Sequence, residues 1–309
     1  MNATITAVPG LKAGHAASER DATGCTVLLG PFRGAADVRG LATGTREIDA
    51  LSPRHLVPRV DAILLTGGSA PGLAAADGVV QWLRERGLGY AVGPTRIPIV
   101  PAAVIFDIHS STQRSPDASM GRAACDAASR DPLAEGRVGA GTGATVGKLR
   151  GPEASSPGGV GTCAVDHGPY RVGVLAVVNA FGDVLDYDGS IIAGARSADG
   201  SPLDSMRAAL HAAPDGGSPI ANTTLCVVAT DAPLSRIALQ TVARMGSSAV
   251  VRRIAPANTV FDGDAVFALS TSDSVQELSP AELLSIGAAA QLALEEAIIR
   301  AVRPDPPHV

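Results

Sequence analysis

Apolar residues occur along this chain in short runs that are separated by polar and glycine-rich stretches. The β-type runs span residues 26–29, 62–65, 89–92, 172–178, 225–229 and 265–269. Several of them are almost continuously apolar, which is typical of strands that are buried on both faces of a sheet. The pattern therefore predicts six strands, most of them in the interior of a layered protein.

Between these runs, apolar residues recur with the spacing of a helix. The predicted helices cover residues 72–86, 234–245 and 279 to about 302. The second helix would carry four apolar residues along one side: Leu234, Ile237, Ala238 and Met245. The third opens with Ser279, Pro280 and Glu282, a typical helix start with a capping box. Strands and helices mixed without a repeat predict an α/β layered fold in a single domain over residues 1–309.

The composition excludes several classes of protein. Hydrophobic residues make up 46% of the 309 residues but aromatic residues only 3%, so a sizeable core must be packed from small aliphatic side chains. A net charge of −5 and the lack of a Lys/Arg-rich run argue against nucleic-acid binding. No run approaches the ~18 apolar residues of a membrane span, and the N-terminus does not resemble a signal peptide. We therefore expect a cytoplasmic protein with no membrane partner.

Residue types that hold metals or nucleotides lack the necessary spacing. The four cysteines have no CxxC pair and are expected to be small buried residues in a reducing compartment: Cys25, Cys125, Cys163 and Cys226. The six histidines show no metal-ligand spacing: His15, His55, His109, His167, His211 and His308. Glycine-rich residues 139–148 fail as a phosphate-binding loop at Thr142 and Leu149, and no long apolar strand precedes their relaxed dinucleotide pattern. We predict no metal and no cofactor.

Thr223 stands where a polar linker, residues 211–221, gives way to the apolar run 225–229. Locally, the Asn222-Thr223 sequence is also typical of an ordinary turn that leads into a strand. If the bond after Asn222 were cut, however, Thr223 would carry a hydroxyl and a free α-amine on one residue. A threonine hydroxyl needs a base to become a nucleophile, and an adjacent amine that titrates near ~7.7–8.0 can serve as that base.

Six blocks of the sequence, in this order, resemble the DmpA-type aminopeptidase family, which includes L-aminopeptidase/D-esterases, β-aminopeptidases and nylon-oligomer hydrolases. The blocks are residues 8–15, 65–83, 136–148 and 158–162, the segment opened by Asn222, and residues 262–264. The most specific block is LTGGSA at residues 65–70. The resemblance implies the αββα four-layer sandwich that this family shares with ornithine acetyltransferases. It also implies self-processing into residues 1–222 and 223–309, and a homotetramer of the processed αβ units.

The resemblance also assigns roles to two residues before the nucleophile. Lys148 would place a cation near the Thr223 amine and depress the pKa of that amine, although a lysine after a glycine-rich turn is more often a surface residue. Asn179, at the end of the run 172–178, would donate to a developing oxyanion. Its local sequence is equally compatible with a turn.

Three further residues follow from the resemblance to the nylon-oligomer hydrolase branch. Asp262 and Asp264 flank Gly263, and the paired carboxylates would orient the nucleophile. A turn or a calcium loop is the alternative, but the ligand spacing of a calcium loop is absent. Phe106 stands where that branch has a tyrosine near the site, so a hydroxyl donor is missing from the predicted substrate pocket.

Together these residues predict a self-cleaving N-terminal-nucleophile hydrolase of amide or peptide bonds, with Thr223 as the nucleophile. Its substrate would be a small peptide or amide of the aminopeptidase or ω-amino-amide type. One alternative is an acyltransferase of the ornithine acetyltransferase type, in which an amine instead of water resolves the acyl-enzyme. Another is a non-enzymatic scaffold that keeps the fold and does not cleave itself.

Overall fold

The computed structural model describes residues 3–197, 199–211 and 222–303. The strands are β1 Lys12–Ser18, β2 Thr23–Val38, β3 Thr45–Arg46, β4 Val60–Thr66, β5 Tyr90–Val92, β6 Thr95–Ile97, β7 Ala102–Val104, β8 Thr145–Val146, β9 Ser156–Pro157, β10 Gly159–His167, β11 Tyr170–Asn179, β12 Asp183–Leu185, β13 Ile191–Ala193, β14 Thr223–Thr230, β15 Ile254–Ala255 and β16 Ala265–Ser270. The helices are α1 Ser69–Gly72, α2 Ala75–Glu85, α3 Ala118–Asp126, α4 Ser205–Ala209, α5 Arg236–Arg253 and α6 Pro280–Arg300.

Strand β2 is long enough to belong to two sheets. Its second half pairs with β16, and that sheet continues through β14 and β11 to β10. Its first half pairs with β1 and β4, and the second sheet continues through β7 to β3. Most neighbours are antiparallel, whereas β14 pairs with β16 and β4 with β7 in parallel. The two sheets are therefore joined through one continuous strand.

Three apolar cores show how the sheets and helices stack. One core lies between the two sheets and is filled by residues such as Leu28, Ile63, Leu175, Val227 and Phe267. A second joins alternate residues of β11, β14 and β16 to α5 and α6. A third joins alternate residues of β2 and β4 to α2 and α3. The layers are thus helix, sheet, sheet and helix, which is the predicted αββα sandwich. Because both faces of the central strands are buried, their sequences are apolar at almost every position.

The predicted elements agree best with the structure in the two central sheets. Five of the six predicted strands lie within β2, β4, β11, β14 and β16, and all four cysteines are buried as free thiols. The capping box of Ser279 and Glu282 opens α6 as expected. The linker prediction falls largely on residues 212–221, which lie outside the described residues. None of the helices in the described ranges combines the length and the apolar character needed to cross a bilayer.

Two predicted elements differ from the central sheets and from the core in their burial. The run 89–92 contains a strand, β5, as predicted, but β5 forms a separate hairpin with β6 and is exposed. The helix predicted at residues 234–245 starts later and extends to Arg253, and Ile237 is 71% exposed instead of facing the core. The buried side of α5 is instead formed by residues such as Leu239, Val242 and Gly246. Aliphatic and small residues together therefore make the packing surface of this helix, and it lies on a different side from the one predicted.

Candidate active site

The ends of three neighbouring strands meet at Thr223. This residue opens β14 and is paired in register with Asn179, the last residue of β11. On the other side of β14, Asp264 directly precedes β16. Side chains alternate along a strand, so Thr223 points to the same face as Leu225 and Val227, which lie in the core between the sheets. The predicted nucleophile is therefore in the middle of the sandwich, at one end of its strands.

Thr223 is 4% exposed, and its hydroxyl contacts the carbonyl of the preceding residue. Oγ1 donates to the Asn222 carbonyl oxygen at 2.5 Å. The same oxygen accepts the backbone N–H of Gly263 at 2.7 Å, and Asn222 itself donates to the Phe261 carbonyl at 2.9 Å. A Cβ atom at Gly263 would lie only 2.7 Å from the Thr223 hydroxyl, so this close approach requires glycine.

The two predicted aspartates are both buried, and backbone N–H groups hold both side chains. One carboxylate oxygen of Asp264 accepts from Thr224 at 2.6 Å and the other accepts from Asn258 at 3.0 Å. Asp262 accepts from the backbone of Thr259 at 2.8 Å. Burial raises the pKa of the Asp264 carboxyl to about 7, and the negative charge of Asp262 adds to this effect.

The loop after β2 fixes the backbone of the same aspartates. The Asp264 carbonyl accepts from Arg39 at 2.9 Å and from Gly40 at 3.1 Å, and the Asp262 carbonyl accepts from Ala42 at 2.9 Å. Gly40 has no room for a Cβ atom, which would lie 2.3 Å from the Asp262 carbonyl oxygen. The aspartate segment is thus clamped on both sides, by β14 and by this loop.

Lys148 is buried, with 4% of its surface exposed, and is not the surface residue that its place after a glycine-rich turn would also allow. Its Nζ donates to the side-chain oxygen of Asn179 at 2.7 Å and to the Asn179 carbonyl at 3.1 Å. Burial lowers the pKa of the Lys148 ammonium to about 7, while the nearby charges of Asp262 and Asp107 oppose that shift. Near neutral pH this amine can therefore carry or lose a proton.

The Asn179 amide connects Lys148 to two other segments. Its oxygen also accepts the backbone N–H of Thr145 at 3.1 Å, and its nitrogen donates to the Phe106 carbonyl at 2.9 Å. Since a carbonyl can only accept, the contact with Phe106 fixes which end of the amide faces Lys148. The structure thus brings together Asn179, Lys148 and Phe106, three of the predicted site residues.

Asp107 is a buried residue of this region that the sequence analysis missed. Its carboxylate accepts from the Thr23 hydroxyl at 2.7 Å and from the backbone of Gly68 at 2.6 Å. Burial raises the pKa of the Asp107 carboxyl. A Cβ atom at Gly67 would lie 2.2 Å from this carboxylate. Gly67 and Gly68, in the block at residues 65–70, therefore leave room for the Asp107 carboxylate and bind it. This pair of glycines was the feature of the sequence that could have indicated a buried carboxylate here.

A cavity of about 380 Å³ opens beside these residues. Phe106, Ile108 and Pro152 form apolar parts of its lining. Thr145, Lys148, His109 and Glu153 supply the polar parts. A larger cavity, of about 520 Å³ near the end of α6, contains none of the predicted site residues. The smaller cavity is consequently the candidate substrate pocket. Within the described ranges, no three His, Cys, Asp or Glu side chains are grouped so that they could hold a metal ion.

Comparisons with known proteins identify the family of this chain. The model of peptidase family S58 matches residues 3–304. An uncharacterised aminopeptidase of Mycobacterium tuberculosis is 41% identical over 97% of this chain and 93% of its own length. A 6-aminohexanoate-oligomer endohydrolase of a Kocuria species is 32% identical over 86% of this chain and 74% of its own.

Among solved structures, the L-aminopeptidase D-Ala-esterase/amidase of Ochrobactrum anthropi superimposes with a TM-score of 0.73 at 20% identity. It covers 97% of this chain and 85% of its own. That enzyme has a variant of the Ntn-hydrolase fold. This likeness confirms the fold that the resemblance implied.

Proposed function

Because the chain belongs to peptidase family S58, whose similar members include an aminopeptidase and an oligomer hydrolase by name, we propose that it is a self-processing amidohydrolase. Thr223 is its nucleophile, first on its own chain and then on substrate. The bond between Asn222 and Thr223 is the processing site, and it yields the fragments 1–222 and 223–309. The contact between the Thr223 hydroxyl and the Asn222 carbonyl carries this proposal.

Self-processing begins when the Thr223 oxygen adds to the carbonyl carbon of Asn222. The negative charge then develops on an oxygen that already accepts the Gly263 N–H, a preorganised donor of the oxyanion type. The hydroxyl proton passes to the Thr223 nitrogen as the C–N bond breaks, which leaves an ester between the two residues. Water hydrolyses that ester, so Asn222 ends in a carboxylate and Thr223 keeps a free hydroxyl and a free amine.

In turnover, the free Thr223 amine takes the proton of its own hydroxyl while the oxygen attacks the substrate amide. The amine of the leaving group accepts a proton, and water then releases the acyl group. Among the described residues the Asn179 nitrogen forms one hydrogen bond, to the Phe106 carbonyl, so its second N–H can serve as a donor for the oxyanion. Lys148, Asp262 and Asp264 set the charge around the amine.

The acyl part of the substrate binds in the 380 Å³ cavity. Lys148 lines this cavity and donates a hydrogen bond to Asn179, and Asn179 is paired with Thr223 across the two strands, so Lys148 connects the cavity to the nucleophile. The names of the relatives, an aminopeptidase and a 6-aminohexanoate-oligomer endohydrolase, favour acyl groups that carry a free amine. We therefore propose small amino-acyl amides as the substrate class.

The experiment compares wild-type protein with Thr223→Ala and Thr223→Ser on a denaturing gel and in an amide hydrolysis assay. Wild type is expected to give two fragments and turnover, Thr223→Ala one full-length band and no turnover, and Thr223→Ser both properties at a reduced rate. Circular dichroism controls for folding. An alanine variant that still splits after Asn222, or that hydrolyses amides as wild type does, rules out Thr223 as the nucleophile.

A further inference from the structure

We propose that Glu153 selects substrates whose acyl group carries a positively charged amine remote from the scissile carbonyl, by binding that amine at the mouth of the 380 Å³ cavity. The proposal rests on the proposed function and assigns it a specificity residue. Glu153 lies on a short 3-10 turn, Pro152–Ala154, five residues after Lys148.

The two ends of the cavity differ in burial. Lys148 is buried and is tied through its Nζ to Asn179, which is paired with Thr223. Glu153 lines the same cavity but is exposed. The reacting carbonyl therefore belongs at the Lys148 end, and the opposite end of the acyl group lies where the cavity opens at Glu153.

Among the residues that the structure describes, Glu153 is the one carboxylate that lines this cavity. Within the described part of the chain it forms no salt bridge and accepts no hydrogen bond, so its charge is available to a ligand. The other carboxylates near the site, Asp107 and Asp262, are buried and accept hydrogen bonds from the protein. Of the described carboxylates, that of Glu153 is therefore the one open to an ammonium group that enters the cavity.

The apolar part of the cavity lining suits a chain of methylene groups. It consists of Phe106, Ile108 and Pro152, which offer contacts to carbon atoms but no hydrogen bond from a side chain. An amine placed next to the carbonyl would remain at the buried end beside Lys148, where a second cation is unfavourable. An amine separated from the carbonyl by several methylenes reaches Glu153, so ω-amino acyl groups are preferred over α-amino ones.

The test compares p-nitroanilides of 6-aminohexanoic, hexanoic and 2-aminopropanoic acid, with processed wild-type protein, Glu153→Gln, Glu153→Lys and Glu277→Gln. Glu277 is also an exposed glutamate, but it does not line the cavity, so it is the matched control. The readout is the ratio of kcat/KM for the 6-aminohexanoyl substrate to that for the hexanoyl substrate. We expect Glu153→Gln to lower this ratio about fivefold, which corresponds to a partly exposed ion pair. Glu153→Lys should lower it further, and Glu277→Gln should leave it unchanged.

Two results would overturn the proposal. One is an unchanged ratio in Glu153→Gln and Glu153→Lys, or a fall of the same size in the Glu277→Gln control. The other is a protein that cleaves itself and hydrolyses the 2-aminopropanoyl substrate better than the 6-aminohexanoyl one. Self-cleavage on a gel is followed in every variant, because its loss in wild type would contradict the proposed function itself, whereas the ratio tests Glu153 alone.

Discussion

On one side of Thr223, Asp262 and Asp264 are held by backbone N–H groups, whereas on the other side Lys148 is held by the side chain and carbonyl of Asn179. Both sides are buried to a similar extent. The aspartate side is fixed by the fold of the chain itself. The lysine side depends on one amide, which Phe106 and Thr145 orient in turn.

This difference indicates different tasks for the two sides. Donors that are part of the backbone cannot rotate away, which suits a side that, in the proposed function, holds the bond between Asn222 and Thr223 in place for cleavage. A single lysine amine near its pKa can gain and lose a proton without a change of backbone structure. Lys148 is one of only two lysines in the sequence, the other being Lys12, among 25 basic residues. Arginine is always charged and could not titrate in this way.

The largest effect is expected from Gly263→Ala on the aspartate side. The added Cβ atom would lie 2.7 Å from the Thr223 hydroxyl and 2.9 Å from the Ala42 carbonyl, so it must displace the hydroxyl or the Gly263 N–H. Self-cleavage should slow on the order of 100- to 1000-fold, as for the loss of an oxyanion donor. Gel densitometry over time measures the rate. Gly246→Ala, a buried change in α5, is the control, and an equal loss there would mean a general folding defect.

On the lysine side, Lys148→Met should lower amide turnover on the order of 10- to 100-fold. Below about pH 7 Lys148 becomes cationic, and that charge opposes protonation of the nearby Thr223 amine. Without it the amine has a higher pKa, so the acidic limb of the pH–rate profile should move to higher pH. Lys148→Arg keeps a charge and should restore only part of the rate. Lys12→Met is the matched control, and an unmoved limb in Lys148→Met would separate Lys148 from the amine.

A smaller effect on stability should distinguish the two sides. The raised pKa of Asp264 contributes stability that is present below about pH 4 and is lost as pH rises through about 7. The lowered pKa of Lys148 has the opposite sign, because its contribution is present above about pH 10 and is lost as pH falls through about 7. Each pKa unit is worth roughly 1.4 kcal/mol.

Asp264→Asn should therefore flatten the fall of the free energy of unfolding between about pH 4 and 7. Urea unfolding in the Thr223→Ala background, where the chain is expected to stay intact, measures this slope. Lys148→Met in the same background should not change how the free energy of unfolding falls between about pH 4 and 7. It should flatten the rise of that free energy between about pH 7 and 10. Identical pH profiles for the two variants would mean that the two sides do not titrate as described.

The smallest effect is expected from Phe106→Tyr. Phe106 fixes Asn179 through its backbone carbonyl, which the substitution keeps, while its ring lines the cavity. An added hydroxyl can contribute about one hydrogen bond to the substrate, so kcat/KM should change by less than about tenfold. Self-cleavage should proceed at the wild-type rate. A strong effect on self-cleavage would show that the ring itself supports the nucleophile.

The secondary structure could be predicted where the sequence has a continuous apolar pattern. It could not be predicted where small residues let two backbone segments approach closely. The runs 172–178, 225–229 and 265–269, which form most of β11, β14 and β16, hold only apolar residues and glycine, so their sequences alone indicate burial. Strands β1 and β10 were missed because their buried positions are largely Gly, Ala and Thr. The order of strands, and the parallel pairing of β14 with β16, follows from contacts distant in sequence.

The same division holds at the site. Thr223, Lys148, Asn179, Asp262 and Asp264 could be named from sequence blocks, and the structure brings them together around the start of β14. Asp107 and Gly263 could not be assigned, because their roles depend on contacts with residues that are distant in sequence. The Asp107 carboxylate lies against Gly67, and Gly263 lies against the Thr223 hydroxyl. Glu153 could not be assigned either, since only the folded chain brings its turn to the cavity of Lys148.

Self-processing at Thr223 is tested most directly by the N-terminal sequence of the small fragment of active, purified wild-type protein, together with the intact masses of both fragments. We expect a fragment that begins Thr-Thr-Leu-Cys, at Thr223, and amide hydrolysis that appears in step with it. Contradiction would come from a fragment that begins elsewhere, or from full amide hydrolysis by a chain that remains intact between Asn222 and Thr223.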